Sequence, residues 1–395
     1  TIDASVNFGQ KPFKFPPPDG FQPLNDANTR PVKVISRPDQ YVGVSTWTGD
    51  GNTGRNIKTL QFKPDLVWIK QRSASRAHAW FDSVRGANKR LQSSSTNAET
   101  THTDQMSAFI DNGFTVEDNN TVNVDSGTYV GWSWRAGGSK GTFNKDDVGY
   151  ASAAAAGLSG QSSNITINGC SIGTKQGFSI VKVTPSDNSA FIVPHGLSQQ
   201  PDFLIIKNLG AAQNWDIYFR GVTGSTQVFE LNTDLALTTT GVTVWNTVDS
   251  TKVSARGASF ATSNNPRVVY FWHSVPGLQK FGTYEGNNNS DGPFVELGFR
   301  PSIVWTKNID SQASWLVYDG TRDKFNPITK VLVQNSTSGG NANDGLVGSY
   351  PVDFTSNGFK IRNTTGEINS AHTFVYCAWA DVPTVDLYGG GANAR

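Results

Sequence analysis

FKPDLVWIK occupies residues 62–70, and QQPDFLIIK at 199–207 and FRPSIVWTK at 299–307 repeat its pattern. In each, a proline precedes a short, nearly continuous apolar run that ends in lysine. Such a run suits a strand buried on both faces, in the middle of a packed sheet. The proline suits the start of a strand, where a missing N–H does no harm. Eighteen residues beyond Pro64, Pro201 and Pro301 stand Asp82 in AWFDSVRG, Phe219 in DIYFRGVTG and Asp319 in WLVYDGTRD. Each of these positions follows an aromatic strand pattern and precedes a turn.

Working outward, DNGFTV (111–116) is echoed by SNGFKI (356–361). TYVGWSW (128–134), RVVYFWHS (267–274) and TFVYCAW (373–379) close the copies. YVGVSTWTGDGN (41–52), FSIVKVTPSDNS (178–189) and FGTYEGNNNSDG (281–292) open them, each a strand followed by a Gly/Asn/Asp turn. The chain therefore reads as three copies of one unit of about 100 residues, near 41–138, 177–279 and 280–384. That period is too long for a solenoid, so tandem domains, each with its own core, are expected. Short strands punctuated by Gly and Asn make each an antiparallel β-sandwich. The expected fold class is all-β, with three tandem β-sandwich domains of jelly-roll or concanavalin-like type.

Between the first two copies, 139–176 is small, polar and Gly-rich. It reads as a linker with a short helix or coil at Ala153–Ala156 and one added strand at Ile165–Ile167. Residues 1–40 carry Pro12, Pro16, Pro17, Pro18, Pro23 and Pro31, which favour extended backbone. Residues 385–395 read as a tail.

Charged residues make up 16 % of the 395, and the formal net charge is +1. That balance gives no reason to expect nucleic acid, an acidic polymer or a membrane surface as partner, and no apolar run approaches the roughly 18 residues of a membrane span. Cys170 and Cys377 are far apart and read as buried free thiols. His78, His102, His195, His273 and His372 show no metal-ligand spacing, and no cofactor motif is present. His273 falls in the closing strand, where Trp134 and Trp379 stand in the other copies, so core packing is expected of it. Trp68, Trp132, Trp134, Trp305 and Trp379 sit at repeat-equivalent core positions. Among Trp47, Trp80, Trp215, Trp245 and Trp315, one or two exposed platforms for sugar rings or a partner are expected.

Two constellations are candidate contact sites. Asp82-x-x-Arg85 recurs as Asp319-x-x-Arg322. It reads either as a carboxylate displayed for a ligand or as a corner pair that fixes a turn, and the second copy breaks it with Phe219. Asn287-x-Asn289-x-Asp291-Gly292, with Asn288 at its tip, resembles the start of a calcium loop. The twelfth position is Gly298, where a bidentate Glu is needed, and the flanks are strands. A β-turn is the simpler reading and a weak cation site the other.

Residues 5–25, SVNFGQKPFKFPPPDGFQPLN, resemble the final strand and tail of a SPRY domain, most of which would lie upstream of Thr1. The motifs there are Val6-Asn7-Phe8-Gly9, Pro12-Phe13 and Pro16 through Phe21. From Tyr41 onward the chain resembles a repeated domain of unknown function found in virion proteins of marine bacteriophages. KPDLVWIKQRS, WFDSVRGANKRL, DNGFTV, TYVGWSWRAGG, QKFGTYEGN, GFRPSIVWTKN and LYGGGANAR carry that resemblance. It implies a non-enzymatic structural protein of the virion, a tail fibre or similar appendage for host attachment. It implies no established ligand or reaction, but sister subunits in a homotrimer; the partners then expected are other virion proteins and a host-surface glycan or protein. A glycan-binding array is the alternative, and an enzyme acting on polysaccharide a further one. Binding is expected on the turn ends, where 93–105, 255–266 and 335–351 differ most.

Overall fold

The computed structural model describes residues 34–187, 189–255, 265–336 and 346–383. The SPRY-like segment, the C-terminal tail and most of the loops 255–266 and 335–351 lie outside the described residues. The described chain is all-β apart from one 3-10 turn at Pro38–Gln40. No helix in it is long and apolar enough to cross a membrane.

The quoted stretches form the central strands Leu66–Gln71, Phe203–Asn208 and Phe299–Asn308. Each pairs antiparallel with a closing strand, Thr128–Trp134, Arg267–Trp272 or Thr373–Pro383. The closing strand pairs in turn with the opening strand, Val42–Thr48, Phe178–Pro185 or Gln279–Glu285. On its other edge the central strand meets Ala79–Asp82, Trp215–Phe219 or Leu316–Asp319. An outer strand then follows, Lys89–Gln92, Gln227–Glu230 or Ile328–Val333. One strand order thus recurs in all three copies.

A second, smaller layer also recurs. Gly113–Val116 lies between Arg55–Ile57 and Met106–Ile110, and Lys252–Ala255 between Phe191–Pro194 and Trp245–Val248. Gly358–Ile361 lies between Phe294–Glu296 and Leu346–Thr355. In the third copy the two layers are continuous, because Leu346–Thr355 also pairs with Ile328–Val333.

Alternation along the central strand explains its unbroken apolar run. Val67 and Ile69 face the small layer and a core private to the first copy, with Phe81 and Phe114. Leu66 and Trp68 face the other way, into a larger core to which all copies contribute. Leu204 and Ile206 are private to the second copy, while Phe203 and Ile205 are shared. Val304 is private to the third, while Ile303 and Trp305 are shared. Both faces of the large sheet are therefore dry. The expectation of tandem domains with separate cores needs this correction: each copy has a small core of its own, and the three also close around a common one.

The common core is aromatic. Trp68 meets Trp305 edge to face at 5.0 Å, and Trp134 meets Trp379 at 5.3 Å. Trp80 approaches Trp215 at 5.6 Å, and Phe203 stacks on Phe281 at 5.7 Å. Polar links run cyclically around it. Trp215 Nε1 donates to Gln92 O at 3.2 Å, Trp315 Nε1 to Glu230 O at 3.1 Å, and His78 Nε2 to Val333 O at 3.1 Å. The donors are each 14 residues beyond the anchoring proline, and the acceptors are equivalent outer-strand positions. Second joins first, third joins second and first joins third, so the chain is a closed pseudo-threefold ring. Gln334 joins all three copies, its amide donating to Ser93 O and Leu231 O while its Oε1 accepts from the Ser93 hydroxyl.

Residues 139–176 are not a linker. They carry strands Phe143–Lys145, Val148–Tyr150 and Ile165–Gly173, which extend the second copy's large sheet beyond its opening strand. Phe143–Lys145 pairs parallel to Ile165–Gly173, and Ala153–Ala156 form turns. Cys170 and Cys377 are buried free thiols, as expected.

Candidate functional site

The Asp–Arg pairs sit where their strand ends. Asp82 Oδ1 accepts from the backbone N–H of Val84 and Arg85 at 3.1 and 2.9 Å, and Oδ2 accepts from Arg85 Nε. Asp319 repeats this with Thr321, Arg322 and the Arg322 side chain. All four side chains are 0 % exposed. Burial works against the Arg85 charge, but Asp82, Tyr270 and Glu99 around it outweigh that and raise its pKa. The pairs also reach across the ring: Tyr270 Oη donates to Asp82 at 2.6 Å, and Trp132 Nε1 donates to Asp319 at 3.1 Å. Where the second copy has Phe219, the closing-strand position equivalent to Trp132 and Tyr270 is Cys377, and both are buried in the common core. The acid is missing where its cross-ring donor is missing. This is the geometry of a corner pair. Side chains closed off in this way do not meet a ligand in solution.

The opening turn of the third copy is held by its own amides. Asn287 Oδ1 accepts from Asn289 N at 3.0 Å, and Asn289 Oδ1 from Asp291 N at 2.9 Å. Beneath it the buried Asn369 donates to Asn287 Oδ1, Asn289 O and Asn363 O. Buried Asn123 does the same for the first copy, donating to Asp50 Oδ1 and Asn52 O. Asn288 is exposed with φ +53°, a left-handed conformation that Asn tolerates. Asp291 is exposed and pairs with Lys360 at 2.8 Å, which lowers its pKa through a hydrogen bond and its charge. No group of three or more His, Cys, Asp or Glu that could hold a metal ion occurs among the described residues. Sequence reasoning missed Asn123 and Asn369. Their signal is an Asn directly after Val122 or Ile368, ahead of the closing strand.

The tryptophan platforms are not found: all eleven tryptophans are buried, Trp47 being the most exposed at 8 %. Nor does His273 take the place of Trp134 and Trp379. The pairing of opening and closing strands puts Trp272 there, and His273 follows it at the end of the strand.

From that position His273 opens onto a cleft of 720 Å³ lined by Val34, Ile35, Thr174, Lys175, Ser198, Gln199, His273, Ser274, Val275 and Pro276. The cleft is built where elements converge. The Val34–Ile35 segment is fixed by Ile35 N donating to Pro276 O at 3.0 Å. Gly277, at φ +76°, lets it approach, since a Cβ there would lie 2.6 Å from Ile35 O. His273 Nδ1 lies 2.7 Å from Gln199 Nε2 and 3.0 Å from Ser274 O, and Ser198 Oγ lies 3.4 Å from Nε2. Burial lowers the His273 pKa, so the ring is neutral at pH 7. Lys175 extends over the Tyr41 ring, Nζ 5.7 Å from its centre. Sequence reasoning did not single out the cleft, because its walls come from four separate stretches.

A family model described as a domain of unknown function, DUF7483, matches residues 37–383. No curated protein and no solved structure matches the chain.

Proposed function

The chain belongs to the DUF7483 family, a domain of unknown function, and we propose that it is a non-enzymatic structural component of a bacteriophage virion, a tail fibre or similar appendage that serves host attachment. The observation that supports this reading is the closed ring of three copies around one aromatic core. The acid–arginine pairs and indoles that could have carried surface chemistry are instead turned inward to hold the ring. What the ring offers outward is loops on a rigid frame, the usual division of labour in an adhesin. On this reading the partners are other virion proteins, sister subunits in a homotrimer and a glycan or protein of the host surface.

The test is placement on the particle. Antibody raised against the purified chain should decorate phage particles at a fibre or tail position in electron micrographs. Particles that carry the gene product nowhere would overturn the reading. Release of reducing ends from host polysaccharide by the purified chain would replace it with the enzyme reading.

A further inference from the structure

We infer that the 720 Å³ cleft beside His273 is a binding site for a sugar unit that bears a carboxylate. The inference stands on the cleft alone and does not depend on the virion assignment. Its volume lies in the range of small-molecule sites, roughly 300–1,000 Å³. Its lining divides by chemistry. Val34, Ile35, Val275 and Pro276 form an apolar wall that suits the C–H face of a sugar ring. Thr174, Ser198, Ser274 and Gln199 supply hydroxyl and amide groups, which suit a polyhydroxylated ligand.

Charge selects within that class. Among the described residues the lining holds one ammonium, Lys175, and no Asp or Glu. Two carboxylates accept hydrogen bonds from lining residues. Asp146 accepts from Thr174 N and Oγ at 2.8 and 2.7 Å, and Asp202 accepts from Ser274 N at 2.6 Å. Lys175 rests over the Tyr41 ring, a contact that a carboxylate can displace or share. Among the described residues the lining offers an ammonium and no arginine fork, which suits a single carboxylate better than a phosphate group. His273 stays neutral and fixed by Gln199, so it acts as a hydrogen-bonding wall and not as a second cation.

The intact chain is titrated with oligogalacturonate, with its fully methyl-esterified form and with a neutral cello-oligosaccharide, and binding is followed by calorimetry and saturation-transfer NMR. Oligogalacturonate should bind saturably, and the esterified and neutral sugars about tenfold or more weakly, the discrimination of one charge-assisted contact. Lys175→Met should lose a similar factor with an unchanged melting temperature, whereas Lys324→Met, on another surface, should lose none. Ser198→Trp, which fills the cleft, should abolish binding. No binding of the acid form, equal binding of acid and ester, or wild-type affinity in Lys175→Met and Ser198→Trp would each overturn the inference. Antibody labelling of particles reads out independently of all three results.

Discussion

Single residues in this protein act mostly across the ring. Asp82 holds its own turn and also accepts from Tyr270 of the next copy. Asp82→Ala leaves the buried Arg85 without its carboxylate and Tyr270 Oη without its acceptor, and should destabilise by roughly 3–5 kcal/mol in denaturant melts. Tyr270→Phe should cost about 1–3 kcal/mol, and the double variant should show coupling, because one interaction is lost twice. Additive losses would mean the cross-ring bond contributes nothing. His195 is buried as the neutral imidazole: Leu197 N donates to its Nδ1 at 3.1 Å, and its Nε2 lies 3.1 Å from Asp249 O, to which it donates. Burial pushes its pKa down to about 4 from 6.5. The unfolded chain therefore binds more protons than the folded one between these values. The stabilisation is complete above pH 6.5 and is lost as pH falls toward 4, by about 2–3 kcal/mol for this residue. His195→Gln should flatten the stability–pH curve in that window. An unchanged slope would show that the imidazole is not held neutral.

At the scale of elements, the repeated motifs report backbone contacts as well as burial. Gly113 of DNGF and Gly358 of SNGF lie against the strand next to them, and a Cβ would fall 1.7 Å from Ile57 O and 2.0 Å from Val295 O. Gly113→Ala or Gly358→Ala should therefore destabilise by roughly 1–3 kcal/mol through forced displacement of the small layer. Gly366→Ala, which meets nothing within 4 Å, should stay within about 0.5 kcal/mol. Equal melts for the three variants would contradict the close approach. Strands marked by a continuous apolar run were legible from sequence, as LVWIK and FLIIK show. Ile165–Gly173 was legible only at its first residues. Its first buried positions alternate with the exposed Thr166 and Asn168, 169–173 are all buried, and its register shifts between Ile167 and Gly169. A strand whose backbone is crossed closely by another, as Gly137 crosses Ile172, needs the same small residues that a flexible linker contains.

For the whole molecule, the sequence implied a partner for the outer face of each large sheet without identifying it. An apolar run buried on both faces needs a second layer on each side, and one copy supplies only one. The bond from Tyr270 to Asp82 and the bond from Trp132 to Asp319 each join different copies, and no local periodicity reports such pairings. The candidate contact residues Asp82, Arg85, Asp319 and Arg322 were found for the right reason, recurrence at a strand end, but recurrence marked the ring's internal joints. The cleft went unseen because its lining converges from residues 34–35, 174–175, 198–199 and 273–276. The central claim is that three copies share one core and stand or fall together. Native-state hydrogen exchange on Trp305→Ala tests it most directly. Trp305 is 1 % exposed and touches Trp68 and Trp134 of the first copy and Phe203 of the second. Its removal should destabilise by roughly 3–5 kcal/mol. Protection should fall together in Thr128–Trp134, Arg267–Trp272 and Thr373–Pro383, the closing strands of all three copies. Loss confined to Thr373–Pro383, with the other two closing strands as protected as in the wild type, would contradict a common core.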